Sequence, residues 1–437
     1  MNIKMKKIAS ILIALIFISS EVIAQQTPGN TQKDAITLLG GIAHIGNGTT
    51  IENSAIVFEN GVIKACVDAN SSKIPYEGNI IDIKGQHVYP GFIAANTSLG
   101  LVEVDAVRAS DDQREIGDNN PNINSIIAYN AESKVVESMR PNGVLIAQIS
   151  PAGGRISGTS SIVQLDAWNW EDAVIKANDG IHLNWPNSFS RGRWWLGESR
   201  GYKQNPQYNS DLEKLSDYFK ESIAYLNSNK EIINLAFESM NGLFDNSQTL
   251  FIHVDDEKGI IDAVNFSKNF DIKNIVIIGG YQAHLISKFL VKNNVAVLIQ
   301  HTHSLPNFED EDYNSTYINP KKLINAGVLV GIHTGEASNF QTRNLPFYAG
   351  QVAAQGIDKE IALQLITSNT AKILRIDKTL GTLEVGKSAT LFVSKGDALD
   401  MKSNQLTNAY ISGRKVSLET HQTELWKRYS KKYKLLN

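Results

Sequence analysis

The chain has 437 residues, of which 42 are Lys or Arg and 45 are Asp or Glu, so its formal net charge is −3. At roughly 150 residues per domain, this length allows one large domain or two to three ordinary ones. The charge argues against a general nucleic-acid-binding protein, because such proteins carry a basic stripe. Cys66 is the only cysteine, which excludes an intrachain disulfide and a thiolate metal cluster.

The first 24 residues have the pattern of an export signal. Three lysines precede the mostly apolar residues 8–18, and Ala24 ends a sequence that is typical of a cleavage site. The apolar stretch is shorter than the about 20 residues of a spanning helix, and no later segment is long and apolar enough to cross a bilayer. We therefore expect cleavage near Ala24 and, in a bacterium with two membranes, a periplasmic protein.

Both ends of the remaining chain are rich in short β-like runs. A polar leader over residues 25–34 is followed by such runs over residues 35–89, with a hairpin turn at Asn60 and Gly61. The same pattern returns over residues 381–418. We predict a small composite β-sandwich domain formed by both termini.

The middle of the chain, residues 90–380, alternates strand-like and helix-like segments. The predicted strands read GVLIAQIS, LFIHV, IVIIGG, VAVLIQH and GVLVGIH, and amphipathic helices are predicted over residues 259–269, 282–293 and 359–369. This alternation favours an α/β fold with a TIM-like (β/α)8 barrel, which usually takes about 250 residues. A doubly wound open sheet is the alternative, but no G-x-G-x-x-G follows the first strand. In a barrel, catalytic groups lie at the carboxyl ends of the strands.

Two segments interrupt this pattern. Five of the six tryptophans lie between Trp168 and Trp195, among polar residues, which predicts a long loop at one barrel mouth. The loop is either a structural plug or, through residues such as Trp194, an aromatic wall for a substrate. The basic tail, residues 419–437, predicts a solvated helical face.

Three further groups are weaker candidates for binding. Residues 153–161 are rich in Gly and Ser, so their N–H groups and Arg155 suit a carboxylate or phosphate, although the pattern favours an ordinary turn. Arg343 suits a substrate carboxylate, a helix cap or an ion pair. The acidic residues of segment 103–122 favour a solvated surface over a cation site.

Three motifs occur in an order that matches this architecture. They are His87–Ile93 (HVYPGFI), residues 343–346 (RNLP) and residues 369–391, which contain NTAKIL and GTLEVGKSATL. They resemble the segments by which members of the amidohydrolase superfamily, near its imidazolonepropionase-like and prolidase-like branches, enter and leave their barrel. The resemblance covers residues 35–414. It implies hydrolysis of carbon–nitrogen bonds in non-peptide or cyclic amides, with divalent metal ions as cofactors.

Most metal ligands that the resemblance implies are replaced in this chain. Where it implies His-x-His at strand 1, the sequence has Asn96 and Ser98, and where it implies a histidine at strand 6, it has Gly279. At strand 8 the expected catalytic aspartate is absent from HTGE. His253 fits the strand 5 position, and His182 stands at the strand 4 position.

Five histidines offer a replacement set at one rim of the predicted barrel. They are His182, His253, His301, His303 and His333. Imidazoles from different strands can hold one Zn2+, with Asp255, Asp256 or Glu336 orienting a ligand by a hydrogen bond or acting as general base. Each histidine is also explained as an ordinary hydrogen-bonded side chain. We expect one Zn2+ or other divalent ion if the rings converge, and none if they do not.

Two functions remain open. The first is an exported hydrolase of a small amide-type substrate, with His253 and Glu336 as catalytic residues. The second is a catalytically degenerate family member that binds a ligand or a partner, as a homo-oligomer or beside an active relative. No G-x-S-x-G motif supports a serine hydrolase, and no nucleic-acid partner is expected.

Overall fold

The computed structural model describes residues 27–71, 76–192, 194–197, 201–335 and 339–435. The predicted export signal lies outside these residues, and so does Glu336. None of the described helices combines the length and apolarity that crossing a membrane requires.

The described strands are numbered in chain order. They are β1 (Ile36–His44), β2 (Thr50–Glu59), β3 (Val62–Asp68), β4 (Asn79–Asp82), β5 (His87–Pro90), β6 (Phe92–Thr97), β7 (Val144–Ile149), β8 (Ile156–Gln164), β9 (Val174–Asn184), β10 (Phe189–Arg191), β11 (Tyr202–Gln204), β12 (Thr249–Val254), β13 (Ile275–Gly279), β14 (Ala296–Ile299), β15 (Val330–Ile332), β16 (Leu391–Ser394), β17 (Leu406–Ile411) and β18 (Arg414–Lys415).

The described α-helices lie mostly in the second half of the chain. They are Lys134–Glu137, Trp170–Ala173, Tyr208–Leu226, Leu235–Ser239, Asn241–Phe244, Glu257–Asn269, Ser287–Lys292, Ser315–Asn325, Leu345–Ala354, Lys359–Gln364, Ser368–Ile373 and His421–Lys432. The helix predicted over residues 259–269 is confirmed. The one predicted over 359–369 is instead two short helices separated by residues 365–367. The basic tail forms the last helix, which Thr420 begins with a capping box.

One sheet takes its strands from both ends of the chain. Its order is β18-β17-β16-β5-β1-β2-β3, and β4 pairs with β1. Strands β16 and β5 pair antiparallel, which joins the two ends of the chain in one sheet. Leu38, Phe58, Val88 and Leu391 belong to its own buried cluster.

The second sheet is a nearly closed barrel. Its order is β15-β14-β13-β12-β9-β8-β7-β6, and a parallel bridge between Ala95 and His333 connects its two end strands. The TIM-like barrel is confirmed in this coarse sense. The strict (β/α)8 pattern is not, because β8 runs antiparallel to both β7 and β9.

The short connection from β7 to β8 explains the reversed strand. Parallel neighbours need a crossover of a dozen or more residues, whereas only residues 150–155 separate these two strands. Gly153 and Gly154 have φ of 88° and 63°, which glycine adopts without steric cost. The Gly-rich stretch therefore turns the chain back rather than leading into a helix.

The prediction of one tryptophan-rich loop is wrong. Trp168 and Trp170 precede strand β9, whereas Trp185 follows it and is 4% exposed. An extended strand of 11 residues separates the two groups, so they lie toward opposite ends of the barrel. Trp194 begins a short 3-10 helix between β10 and β11.

A buried ionic cluster joins the sheet of the chain ends to the barrel. Asp166, which follows β8, is 3% exposed. Its carboxylate accepts hydrogen bonds from the Arg140 guanidinium, from the Gly29 N–H at 2.8 Å and from the Arg414 guanidinium at 3.4 Å. One carboxylate therefore holds the leader, strand β18 and the barrel together.

Candidate active site

Two cavities open at the carboxyl ends of the barrel strands, and His253 lines both of them. The polar cavity has a volume of about 720 Å³, and its lining includes Asn96, Ser98, Asp105, Asp111, Arg114, Asn184 and His253. The aromatic cavity has a volume of about 600 Å³, and its lining includes Phe189, Tyr202, His253, Asp255, Asp256, Ile278, Tyr281 and Phe308. His253, near the end of β12, is the residue that these two sets share.

His253 is in contact with His182 on the neighbouring strand β9. The Nε2 atom of His253 lies 2.9 Å from the Nδ1 atom of His182, and the two rings are tilted by 45°. His182 is fully buried and packs on the Phe251 ring at a centroid distance of 4.9 Å. Burial lowers the pKa of His182 well below its usual value and that of His253 to about 4. Both imidazoles are therefore neutral at pH 7.

His333 lies at the closure of the barrel and is fully buried. Its Nδ1 accepts the Gly335 N–H at 3.3 Å and is 3.4 Å from the Asn96 Nδ2. Burial, with smaller contributions from His253 and His301, lowers its pKa to about 3. Because Nδ1 is an acceptor, the neutral ring carries its proton on Nε2, which is buried and has no hydrogen-bond partner among the described residues.

The other two candidate ligands, His301 and His303, pack beside the Tyr348 ring. The His301 and His303 rings lie 5.5 Å and 4.9 Å from the Tyr348 ring. His303 is exposed, and neither residue belongs to a strand. The predicted strand VAVLIQH therefore ends at Ile299, before His301.

The five histidines do not form one metal-ligand sphere. Among the residues with described positions, no three His, Cys, Asp or Glu side chains are placed to share an ion. His182 and His253 direct two ring nitrogens at each other, and the tautomer of His333 presents an N–H rather than a lone pair. The described residues therefore do not fit the metal site that the resemblance implies.

The two residues that replace His-x-His are held by side-chain hydrogen bonds. Asn96 has φ of 49°, and its N–H donates to the Gln148 Oε1 at 3.0 Å. The Gln148 Nε2 donates to the fully buried Asp179 at 2.8 Å, and the Lys176 Nζ donates to the same carboxylate at 2.6 Å. Ser98 donates to the Asn339 side chain.

This network contains residues that the sequence analysis missed. The signal for Gln148 was one amide inside an otherwise apolar strand, where a buried polar side chain needs hydrogen-bond partners. Asp179 likewise lies in β9 beside Gly180, with no exposed surface. The aromatic lining residues had no such signal, because their separate positions along the chain show no pattern.

A side chain at Gly279 would meet the Asp255 carboxylate. The φ of Gly279 is 91°, and a Cβ atom there would lie 2.5 Å from the Asp255 Oδ1. The Asp255 carboxylate also accepts the Tyr281 N–H at 3.2 Å. Asp255 thus occupies the space of the missing side chain.

Substitution of Gly279 by alanine is therefore expected to destabilise the protein. Gly386 is a matched control, because its φ is 88° but a Cβ atom added there would have no neighbour within 4 Å. Gly386→Ala should cost about 1–2 kcal/mol from backbone strain, and Gly279→Ala at least about 1 kcal/mol more because of the close contact. Urea unfolding of both variants measures this. Equal losses would contradict the position of Asp255.

Two of the predicted substrate-binding residues, Arg155 and Arg343, do not line either cavity, and the side chain of the third, Trp194, lies outside the described positions. Arg155 donates to the Asn184 carbonyl at 2.7 Å and lies 3.6 Å from the Asp211 carboxylate. The Arg155 and Ile156 N–H groups both donate to the Asp118 carbonyl, so the Gly-rich turn offers no free anion cradle there. Arg343 is exposed, and neither cavity is lined by it.

The acidic segment 103–122 is more than a solvated surface. It covers the barrel mouth, where Asp105 and Asp111 line the polar cavity together with Arg114. Backbone bridges hold this segment in place, from Arg114 to Ala152 and from residue 119 to residue 156. These side chains face any substrate that reaches His253 from this side.

The buried neutral imidazoles make stability depend on pH. The folded-state pKa of His333 is about 3, whereas an unfolded histidine titrates near about 6.5. The unfolded chain therefore binds more protons below pH 6.5, and stability falls as the pH falls through this window toward 3. In His333→Gln, the loss between pH 7 and pH 5 should be smaller by up to about 1.4 kcal/mol per pH unit. Urea midpoints at the two pH values measure it, and an unchanged loss would contradict the neutral buried ring.

Comparison with known proteins gives a family match and a shared fold. Residues 253–423 match the amidohydrolase family, and no curated protein matches the chain. An amidohydrolase from Thermotoga maritima MSB8 superimposes with a TM-score of 0.75 at 22% identity, over 87% of this chain and 99% of that chain. An adenosine deaminase from Xanthomonas campestris with bound zinc gives 0.53 at 14% identity, over 92% of this chain and 97% of that chain.

A third similar structure is a Xaa-Pro dipeptidase with bound methionine. Its TM-score is 0.52 at 15% identity, over 88% of this chain and 100% of that chain. At these identities the solved structures show the fold alone. The match over residues 253–423 and this shared fold together confirm the resemblance of the chain to the amidohydrolase superfamily, and they support a hydrolase.

Proposed function

We propose that the barrel mouth hydrolyses a carbon–nitrogen bond in a small amide-type substrate. The observation that carries this proposal is the position of His253, a neutral imidazole at the junction of the polar and aromatic cavities. A substrate with one part in each cavity places its central amide beside this ring. The amidohydrolase match begins at this residue.

In this proposal His253 polarises the substrate carbonyl. Its Nε2 is occupied by His182, which leaves Nδ1 for the carbonyl oxygen. If the His182 Nδ1–H donates to this Nε2, the proton of the neutral His253 ring is on Nδ1. A neutral imidazole can then donate to the oxygen on which negative charge develops.

Asp255 is the proposed proton acceptor for the attacking water. Asp255 lines the aromatic cavity, and partial loss of solvation raises the pKa of its carboxyl, which the neighbouring Asp256 raises further. A raised pKa brings a carboxylate closer to the range that favours general-base catalysis at neutral pH. The carboxyl returns the proton to the leaving amine. Glu336, predicted for this role, lies outside the described residues.

The test is amine release by the purified protein from N-acyl amines, cyclic amides and dipeptides, with the metal content of the same sample measured. We expect turnover in at least one class, retained after chelation. No amine release from any class would overturn the proposed function. Turnover that chelation abolishes and Zn2+ restores would keep the hydrolase and overturn the roles of His253 and Asp255.

Ligand binding without turnover is the second candidate function. It is favoured by the contacts at the three positions where the resemblance implies metal ligands. Asn96 and Ser98 form hydrogen bonds with neighbouring side chains there. The Asp255 carboxylate lies where a side chain at Gly279 would be. This second function requires a small molecule or protein partner to co-purify with an inactive chain. Metal-dependent turnover would exclude it.

We also propose that the chain is exported to the periplasm. The charged and apolar pattern of residues 1–24 supports this. Mass spectrometry of the natural protein should find a first residue near Gln25 in the periplasmic fraction. An intact Met1 in the cytoplasmic fraction would contradict it.

A further inference from the structure

The aromatic cavity combines aromatic walls with a carboxylate floor. The Tyr202 and Tyr281 rings lie 5.4 Å and 6.1 Å from the Phe308 ring, tilted by 49° and 55°. Phe189, paired with the Tyr202 strand in a small hairpin, is 47% exposed and also lines the cavity. Tilted neighbouring rings form a corner whose faces carry negative electrostatic potential.

Two carboxylates and no described basic side chain line this cavity. Asp255 and Asp256 both line it, and His253 is neutral at pH 7. Within the part of the chain that the structure describes, no lysine or arginine lines the cavity. Asp256 accepts hydrogen bonds through Oδ1 from the Ser188 hydroxyl at 2.6 Å and from the Gly259 N–H at 2.9 Å, and neither donor carries a charge.

The neighbouring Tyr281 strengthens this field. Its hydroxyl donates to the Glu311 carboxylate, which places a further negative charge behind the ring. An organic cation between these rings gains cation–π attraction in addition to Coulomb attraction to the floor. A neutral apolar group of the same shape gains neither.

We infer that the aromatic cavity binds an organic cation, namely an ammonium group at one end of the substrate. This inference rests on the proposed function, because the cavity meets the polar cavity at His253. The substrate class is then an amide whose one side carries a positively charged alkylammonium group. Asp256 and Phe308 determine this specificity, and Asp255 contributes charge beside its proposed catalytic role.

Binding of choline and of its neutral isostere 3,3-dimethyl-1-butanol tests the subsite without turnover. Isothermal titration of the purified full chain should give at least roughly tenfold tighter binding of choline. Asp256→Asn keeps the helix cap, because asparagine caps as well as aspartate. This variant should bind choline several-fold more weakly and bind the neutral alcohol as tightly as before. Phe308→Leu should also weaken the binding of choline but not that of the alcohol, because it removes one aromatic face.

The matched controls are Asp217→Asn and Tyr433→Leu, which do not line the cavity and should leave choline affinity unchanged. Equal binding of the two probes, or an unchanged choline affinity in Asp256→Asn, would overturn the inference. Choline selectivity in a protein that releases no amine would sustain the subsite while the proposed function fails. Turnover without choline selectivity would sustain the proposed function and overturn the subsite.

Discussion

Replacement of His253 by glutamine is expected to lower kcat for amide hydrolysis by about 100-fold to 10,000-fold, the range that one positioned acid–base or polarising group supplies. The variant removes the neutral ring that both cavities share and leaves the surrounding strand intact. His182→Gln is expected to lower kcat less, because His182 acts by holding His253 at 2.9 Å. Steady-state kinetics of amine release measures both effects.

His303→Gln is the matched control, because His303 is an exposed histidine outside both cavity linings. The kcat of the His303→Gln variant should stay close to that of the natural protein. Equal losses in the His253 and His303 variants, or no loss in either, would show that the reaction occurs elsewhere. Circular dichroism spectra of all three variants must match, so that the loss is assigned to chemistry and not to unfolding.

Asp166→Asn should reduce the free energy of unfolding by about 3–5 kcal/mol, because removal of one partner leaves buried charge uncompensated. The Arg140 and Arg414 side chains beside this carboxylate are 5% and 15% exposed. Little water therefore reaches these guanidinium groups to replace the lost negative charge. The effect should appear as a lower urea midpoint, and the sheet of the chain ends should separate from the barrel early in unfolding.

Asp217→Asn provides the comparison for this stability loss. Asp217 and Lys220 form an i,i+3 pair at 3.1 Å with side chains 66% and 65% exposed. Exposed pairs of this kind contribute about 0–1 kcal/mol, so the urea midpoint should hardly change. Similar shifts in the two variants would refute the stabilising role of the buried cluster.

Several parts of the fold followed from local patterns. The strands LFIHV and IVIIGG and the helix over residues 259–269 were predicted because burial periodicity and β-branched content are read within a short window. The reversed strand β8 was not predicted. Its sequence is compatible with either direction, and only the short turn before it selects the antiparallel one.

The candidate site was likewise only partly predictable from the sequence. Sequence identified His182 and His253 as neighbours at two strand ends, since strand order is implied by the family resemblance. It did not predict that two nitrogens of these rings would face each other, nor that Asp255 would fill the space beside Gly279. Those outcomes depend on side-chain directions that no local pattern specifies.

The sequence by itself determined the types of most elements and their order along the chain. The tertiary structure decided which polar groups share a space. It brought Phe189, Tyr202 and Phe308 around one cavity from three separate segments, and it placed His303 in an exposed position. The reason is that secondary structure responds to neighbours along the chain, whereas a site depends on the packing of strands that are distant in sequence.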